Sequence, residues 1–254
     1  MENGCKIETD VKMRSVFSNV ISWSAYFLIF LILWIFIPSI LNFFRINIWK
    51  FSRISSRLAL MSFGIKVRRQ FYISQDVLSL SRVIYFANHS SWFDQMALCV
   101  ALEQPLAFLA NSKYFSMPLL SVAMRIYNHI PVNTRGNSDA KKQESQKIIA
   151  TLNAGRSVVV FPEGTRALAS QRELSPFRKG IFAIAAQEKI QIIPVHIIGA
   201  KEIFSKNSPL LKVKKGIISV AIGEPIVLDE KNWLAQVESI EKIFNEKYLG
   251  LVTN

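Results

Sequence analysis

The run Asn88-His89-Ser90-Ser91-Trp92-Phe93-Asp94 sets a base five residues ahead of a carboxylate that can orient it. An imidazole titrates close enough to neutral pH to take a proton from an alcohol and later return it. A carboxylate on its second nitrogen fixes the tautomer and stabilises the imidazolium. Ser90 and Ser91 are near but stand on no Gly-x-Ser-x-Gly elbow, so the pair reads as a base without a serine nucleophile. The competing reading is plain capping, with Ser90 starting a helix and His89 an ordinary loop residue. A second run, Phe161-Pro162-Glu163-Gly164-Thr165-Arg166, carries opposite charges beside a glycine. Glycine lets backbone N–H groups approach a ligand closely, and the planar arginine fork suits a phosphate. The alternative is a charged turn closed by its own Glu–Arg pair.

The elements around these runs place both at strand ends. Strands are expected at residues 66–73, 83–87, 106–110, 157–161, 192–198 and 216–222, and helices at 93–103, 117–127, 138–153, 177–189 and 231–248. His89 then lies in the turn leaving a strand, and Asp94 in the first turn of the next helix. Ser157-Val-Val-Val-Phe161 is a β-branched run ended by Pro162, which has no N–H for the ladder. Alternating strands and helices give a mixed, largely parallel α/β sheet flanked by helices, a fold that keeps its ligands at the carboxyl ends of strands. Arg178 and Lys179 stand at a helix start, where the dipole disfavours cations unless an anion is near. His196 reads as a core or edge residue, Cys99 as core, and His129 carries no assignment.

With both runs in place, the chain resembles the glycerolipid acyltransferase family, which includes the 1-acyl-glycerol-3-phosphate acyltransferases. Asn88-His89-x-x-x-x-Asp94 matches the catalytic block and residues 161–166 the glycerolipid-binding block. Ile193-Pro194-Val195 matches a late apolar block. A looser block begins at Lys113-Tyr114-Phe115 with Pro118 and ends at Ile130–Arg135, where Thr134 intervenes before the arginine. The resemblance covers roughly residues 60–225. It implies direct acyl transfer from a thioester to the free hydroxyl of 1-acyl-glycerol-3-phosphate, giving phosphatidic acid. His89 would be the base and Asp94 its orienter. Arg166, Arg135 and Lys113 would hold the phosphate, Glu163 and Gly164 would shape the glycerol site, and Thr165 would be a further substrate-binding residue. No cofactor or metal is implied; acyl-CoA or an acyl carrier protein thioester is the co-substrate. The alternatives are another lyso-lipid acceptor, or an inactive membrane-docking protein of the same fold.

Residues 15–44 are uncharged and rich in Phe, Ile and Leu, whereas spanning the hydrocarbon takes about 20 apolar residues. No Ala-x-Ala site follows, which argues against a cleaved signal peptide. Residues 45–61 then mix Arg45, Lys50, Arg53 and Arg57 with Trp49, Phe51 and Leu58, as in a basic amphipathic helix at an anionic lipid surface. Residues 1–60 therefore read as a membrane anchor and 61–254 as the catalytic domain. Both flanks of the apolar stretch are basic, which draws both to the cytoplasmic face and favours a re-entrant or in-plane hairpin bent near Pro38 or Asn42. The 31 basic against 18 acidic residues suit membrane lipids; nucleic acid is disfavoured because no recognition motif accompanies them. Two distant cysteines form no disulfide framework, in keeping with a reducing compartment.

Overall fold

The computed structural model describes residues 2–44, 48–71, 80–133, 136–168, 170–171 and 173–253, with side chains described from Val16 to Leu251. Among the described residues seven strands form one sheet: β1 (Ile65–Phe71), β2 (Ile84–Ala87), β3 (Leu106–Asn111), β4 (Ile130–Val132), β5 (Ser157–Val160), β6 (Ile192–Ile198) and β7 (Gly216–Ile222). Their order is β1-β7-β6-β2-β5-β3-β4. Every pairing is parallel except β6 with β7. The central β2 and β5 are buried at every position, as their unbroken apolar runs require when both faces are covered.

Two cores lie on opposite faces. On one side α3 (Trp49–Ser62), α4 (Asp94–Leu102) and α8 (Ala200–Ile203) pack through Leu60, Leu98 and Ile203. On the other, α6 (Ser138–Asn153), α7 (Gly180–Gln187) and α9 (Trp233–Thr253) pack through Leu152, Phe182 and Phe244. From β2 the chain crosses to β3, whereas from β5 it crosses back over β2 to β6. That reversal opens the crevice in which sheets of this type place their ligands.

Expected elements differ from these mainly at their ends. The short edge strand β4 is not among the expected strands, because only three residues pair and Pro131 is one of them. The helix expected from residue 117 starts at Leu120 as α5 (Leu120–Ile126); Pro118 and a left-handed Leu119 precede it. The extension of β1 to Ile73 falls outside the described residues.

The N-terminal stretch is helical in α1 (Glu2–Ile29), a π-helical segment Phe30–Phe36 and α2 (Ile37–Phe43). Pro38 does not turn it. It occupies the first turn of α2, where its missing N–H is tolerated, and the π segment before it absorbs the change of register. The stretch is helical through Pro38 and Asn42, and α3 packs back along it as the second arm of a hairpin, with Ser22 Oγ donating to the Ser62 carbonyl across them at 2.6 Å. The expected bend at Pro38 or Asn42 is corrected accordingly. Asn19 and Trp23 also donate to the carbonyls of Leu211 and Leu210, docking α1 on the α/β unit.

Candidate active site

Register brings the two sequence runs together. β2 and β5 are adjacent and parallel with Phe86 opposite Val160, so His89 and Glu163 each leave the sheet three residues beyond that pair. The turn after β2 and the turn after β5 are then joined twice. Ala167 N–H donates to the His89 carbonyl at 2.7 Å, and His89 N–H donates to Glu163 Oε1 at 2.8 Å. Asn88 holds the first turn from the other side, exchanging two hydrogen bonds with the Ile197 backbone of β6.

One oxygen of Asp94 organises the base. Asp94 Oδ2 lies 2.8 Å from His89 Nδ1 and accepts the N–H groups of Ser90 at 2.7 Å and Ser91 at 2.8 Å. That carboxylate has no exposed surface and is fixed by these backbone donors. It requires His89 to carry its proton on Nδ1, leaving Nε2 as the basic nitrogen. Nε2 makes no hydrogen bond among the described residues, and the ring, about 18% exposed, stacks on Phe161 at 4.0 Å between centroids. Ser90 does not cap the helix: α4 has Phe93 at its N-cap with no side-chain cap bond, and Ser91 Oγ accepts Phe93 N–H at 3.2 Å in the turn before it.

The cations gather around the second turn. Arg166 stacks over Trp92 at 5.1 Å, and its Nη1 is buried with no hydrogen-bond partner. Burial lowers its pKa, while Tyr114 and Asp94 are near enough to oppose that. Lys113 stands beside Tyr114 in a 3₁₀ turn at the end of β3, its ammonium 5.0 Å from that ring. Lys206 Nζ donates to Thr165 Oγ1 at 3.1 Å. Gly164 has φ +69°, and a Cβ there would fall on the Arg178 guanidinium, so glycine is required both by conformation and by the side chain lying across it. The sequence had marked Arg178 only as a misplaced cation; its contact with Gly164 depends on the fold. Arg135 lies outside the described residues.

Glu163 is the acid of the second turn. Its carboxylate turns inward, is about 4% exposed, and accepts Ser175 N–H on Oε2 at 3.1 Å as well as His89 N–H on Oε1. Desolvation pushes its pKa up to about 7, against the lowering effect of those two amides.

Most backbone donors near the histidine are committed. His89 N–H serves Glu163, those of Ser90 and Ser91 serve Asp94, and those of Gly164 and Ala167 are bonded to Phe161 and His89 carbonyls. The N–H groups of Thr165 and Arg166 make no hydrogen bond among the described residues. Beside Asp94, Gln95 opens onto a cleft of about 330 Å³ lined by Trp34, Trp49, Cys99, Phe108 and Tyr127, between the N-terminal helices and the sheet. Cys99 is buried and its thiol pKa is raised to about 11 by desolvation. His129 lines that cleft rather than either turn, and His196 is buried against Phe244. The first accepts Phe108 N–H on Nδ1 and the second bonds the Phe244 carbonyl through Nε2 at 3.0 Å; burial lowers their pKa values to about 3 and 4. Among the described residues no group of three or more His, Cys, Asp or Glu could hold a metal ion.

Comparison with known proteins places these features in a family. A family model described as Acyltransferase matches residues 65–198, which include both turns. A 1-acyl-sn-glycerol-3-phosphate acyltransferase of Brassica napus chloroplasts (BAT2) is 30% identical over 146 residues, 56% of this chain and 40% of the relative. The protein of that activity from Saccharomyces cerevisiae is 27% identical over 179 residues, 67% of this chain and 53% of the relative. The chain thus spans about half the length of the curated relatives it matches, or less. The crystal structure of the 1-acyl-sn-glycerophosphate acyltransferase PlsC from Thermotoga maritima shares the fold, with a TM-score of 0.71 at 21% identity over 94% of each chain.

Proposed function

The chain belongs to the acyltransferase family, and from that premise we propose that it acylates the free hydroxyl of 1-acyl-glycerol-3-phosphate with a fatty acid drawn from a thioester, giving phosphatidic acid. The reading rests on one observation above all: a histidine held by a buried carboxylate at Nδ1, with Nε2 left free at the crevice. Nε2 takes the proton of the acceptor hydroxyl as that oxygen attacks the thioester carbonyl, and Asp94 stabilises the imidazolium. The tetrahedral oxyanion is received by the Thr165 and Arg166 N–H groups, two donors in these turns not already spent. Collapse breaks the C–S bond, and the imidazolium returns its proton to the departing thiolate. No acyl-enzyme, metal or cofactor enters these steps.

The phosphate is assigned to Arg166 and Lys113, with Arg135 a further ligand from sequence. Arg166 suits the task because its Nη1 is buried with no acid paired to it. Gly164 and Thr165 bring the backbone up to the glycerol, and the aromatic cleft beside Gln95 takes the acyl chain. Docking at a membrane is supported by the apolar helix Val16–Phe43, in which an 18-residue window has a mean hydropathy of 2.4 and only 6% of its residues buried, and the basic flanks assign the cytoplasmic face. The outer face of α3 supports it too, presenting Lys50 and Arg57 among exposed Ile54, Leu58 and Met61.

Thiol release from acyl-CoA and from acyl carrier protein thioesters, measured in vesicles with a panel of lyso-lipids, tests the proposal. Transfer to lysophosphatidate should be lost by at least a hundredfold in His89→Ala. Turnover with a different lyso-lipid alone would overturn the acceptor. Vesicle binding without turnover on any acceptor would make the protein a docking module.

A further inference from the structure

An ionised carboxylate can accept from two separate backbone segments at once without offering a donor to either. At position 163 both oxygens are used in that way, and the carboxylate is turned from solvent. Ser175, the second partner, lies in the stretch leading to α7, and that stretch is pinned throughout to the C-terminal helix. Leu174 N–H donates to Asn245 Oδ1 at 3.2 Å, Phe177 N–H donates to Glu241 Oε1 at 3.0 Å, and Lys179 is ion-paired with Glu238. Between these anchors Arg178 N–H donates to the Pro162 carbonyl, and its side chain covers Gly164.

We propose that Glu163 is a positioning residue rather than a contact for substrate: it straps the turn bearing His89 to residues 174–179, which α9 holds in place. The proposal rests on His89 being the base. α9 lies outside residues 65–198 matched by the family model, so the strap makes the catalytic turn depend on a part of the chain beyond the shared unit. A carboxylate is costly here, since desolvation disfavours its charge. A neutral glutamine could satisfy only one of the two amides and would turn its own N–H₂ against the other. Two segments held by one group therefore explain why an acid is kept at a closed position.

Glu163→Gln and Asn245→Ala test the strap, the second acting from α9 without touching either turn. Each variant is compared with the wild type in steady-state kinetics and in the rate at which diethyl pyrocarbonate modifies His89, resolved by peptide mass spectrometry. Glu163→Gln should lower kcat at least tenfold with the KM for lysophosphatidate changed less than twofold, and should alter the His89 modification rate at least threefold. Asn245→Ala should move kcat in the same direction by about threefold and carries the test if Glu163→Gln fails to fold. A KM raised more than fivefold at unchanged kcat would make Glu163 a substrate contact. Unchanged kcat, KM and His89 reactivity in both variants would remove the strap. Because His89 modification needs no substrate, a wrong acceptor assignment shows as absent turnover with the reactivity difference intact.

Discussion

Replacing Asp94 by asparagine separates two tasks that one oxygen performs. Asp94 Oδ2 receives His89 Nδ1, Ser90 N–H and Ser91 N–H together, so an amide nitrogen in that place would face two backbone donors. The asparagine must keep its oxygen there. The Nδ1–H tautomer is therefore retained, and Nε2 remains the base. What is lost is the negative charge beside the imidazolium. At an effective dielectric near 20, unit charges about 4 Å apart attract by about 4 kcal/mol, and retention of a neutral hydrogen bond brings the loss to roughly 2–4 kcal/mol. That is a fall in kcat of about 30- to 900-fold. In serine protease triads the corresponding change costs about 10⁴ because it selects the wrong tautomer. The stability cost arises on the other oxygen, since Oδ1 is buried with no partner and the amide N–H₂ would sit there unsatisfied. An unmet buried donor costs about 1–3 kcal/mol, and at about 2–4 °C per kcal/mol the melting temperature should fall by several degrees. Thiol-release kinetics give the rate, and ¹⁵N chemical shifts of the imidazole give the tautomer. A variant within threefold of wild type refutes Asp94 as the partner of the base. A loss of 10⁴ with the proton on Nε2 refutes the placement of the amide oxygen.

Arg166→Ala should raise the KM for lysophosphatidate by about 10- to 150-fold while barely affecting that of the thioester, the worth of a charge-assisted bond of about 1.5–3 kcal/mol. Arg166→Lys should recover only part of it, lacking the fork, and equal losses for both substrates in initial-rate kinetics would count against the phosphate assignment. Glu163, with its pKa raised from 4.5 to about 7, binds a proton more tightly folded than unfolded. Its stabilising contribution is thus full below about pH 4.5 and lost as pH rises through 7, so thermal melts should increasingly favour Glu163→Gln over wild type across that window, and a constant difference would exclude the buried acid. Gly164→Ala should cost about 1–2 kcal/mol for the left-handed backbone alone and displace Arg178; circular-dichroism melts showing no loss would contradict the loop geometry.

Local chemistry was legible where the sequence repeats a physical pattern. β6 and β7 were readable to the residue from apolar runs, and α6 from a polar face ending at Ala154-Gly155. Strand β4 was not, because three paired residues leave no period to detect. Pro38 misled as a sign of bending, since the disruption expected of an interior proline vanishes when the residue falls in a helix's first turn.

At the site, sequence spacing could link His89 to Asp94 because a single turn spans them, but it could not say that three donors converge on one oxygen. The link from His89 to Glu163 depends on which strands are neighbours and on their register, and neither is encoded in any local stretch. That non-local step also inverts the reading of the second motif. Taken alone, Glu163-Gly164-Thr165-Arg166 looks like one surface offering both charges to a ligand. In the fold the acid faces the interior and holds the turn of the base, while Arg166 keeps a buried nitrogen unpaired. With Glu163 withdrawn into backbone amides and Asp94 Oδ2 spent on His89 and two amides, no carboxylate is hydrogen-bonded to Arg166 or Lys113 among the described residues, the condition a phosphate monoester requires.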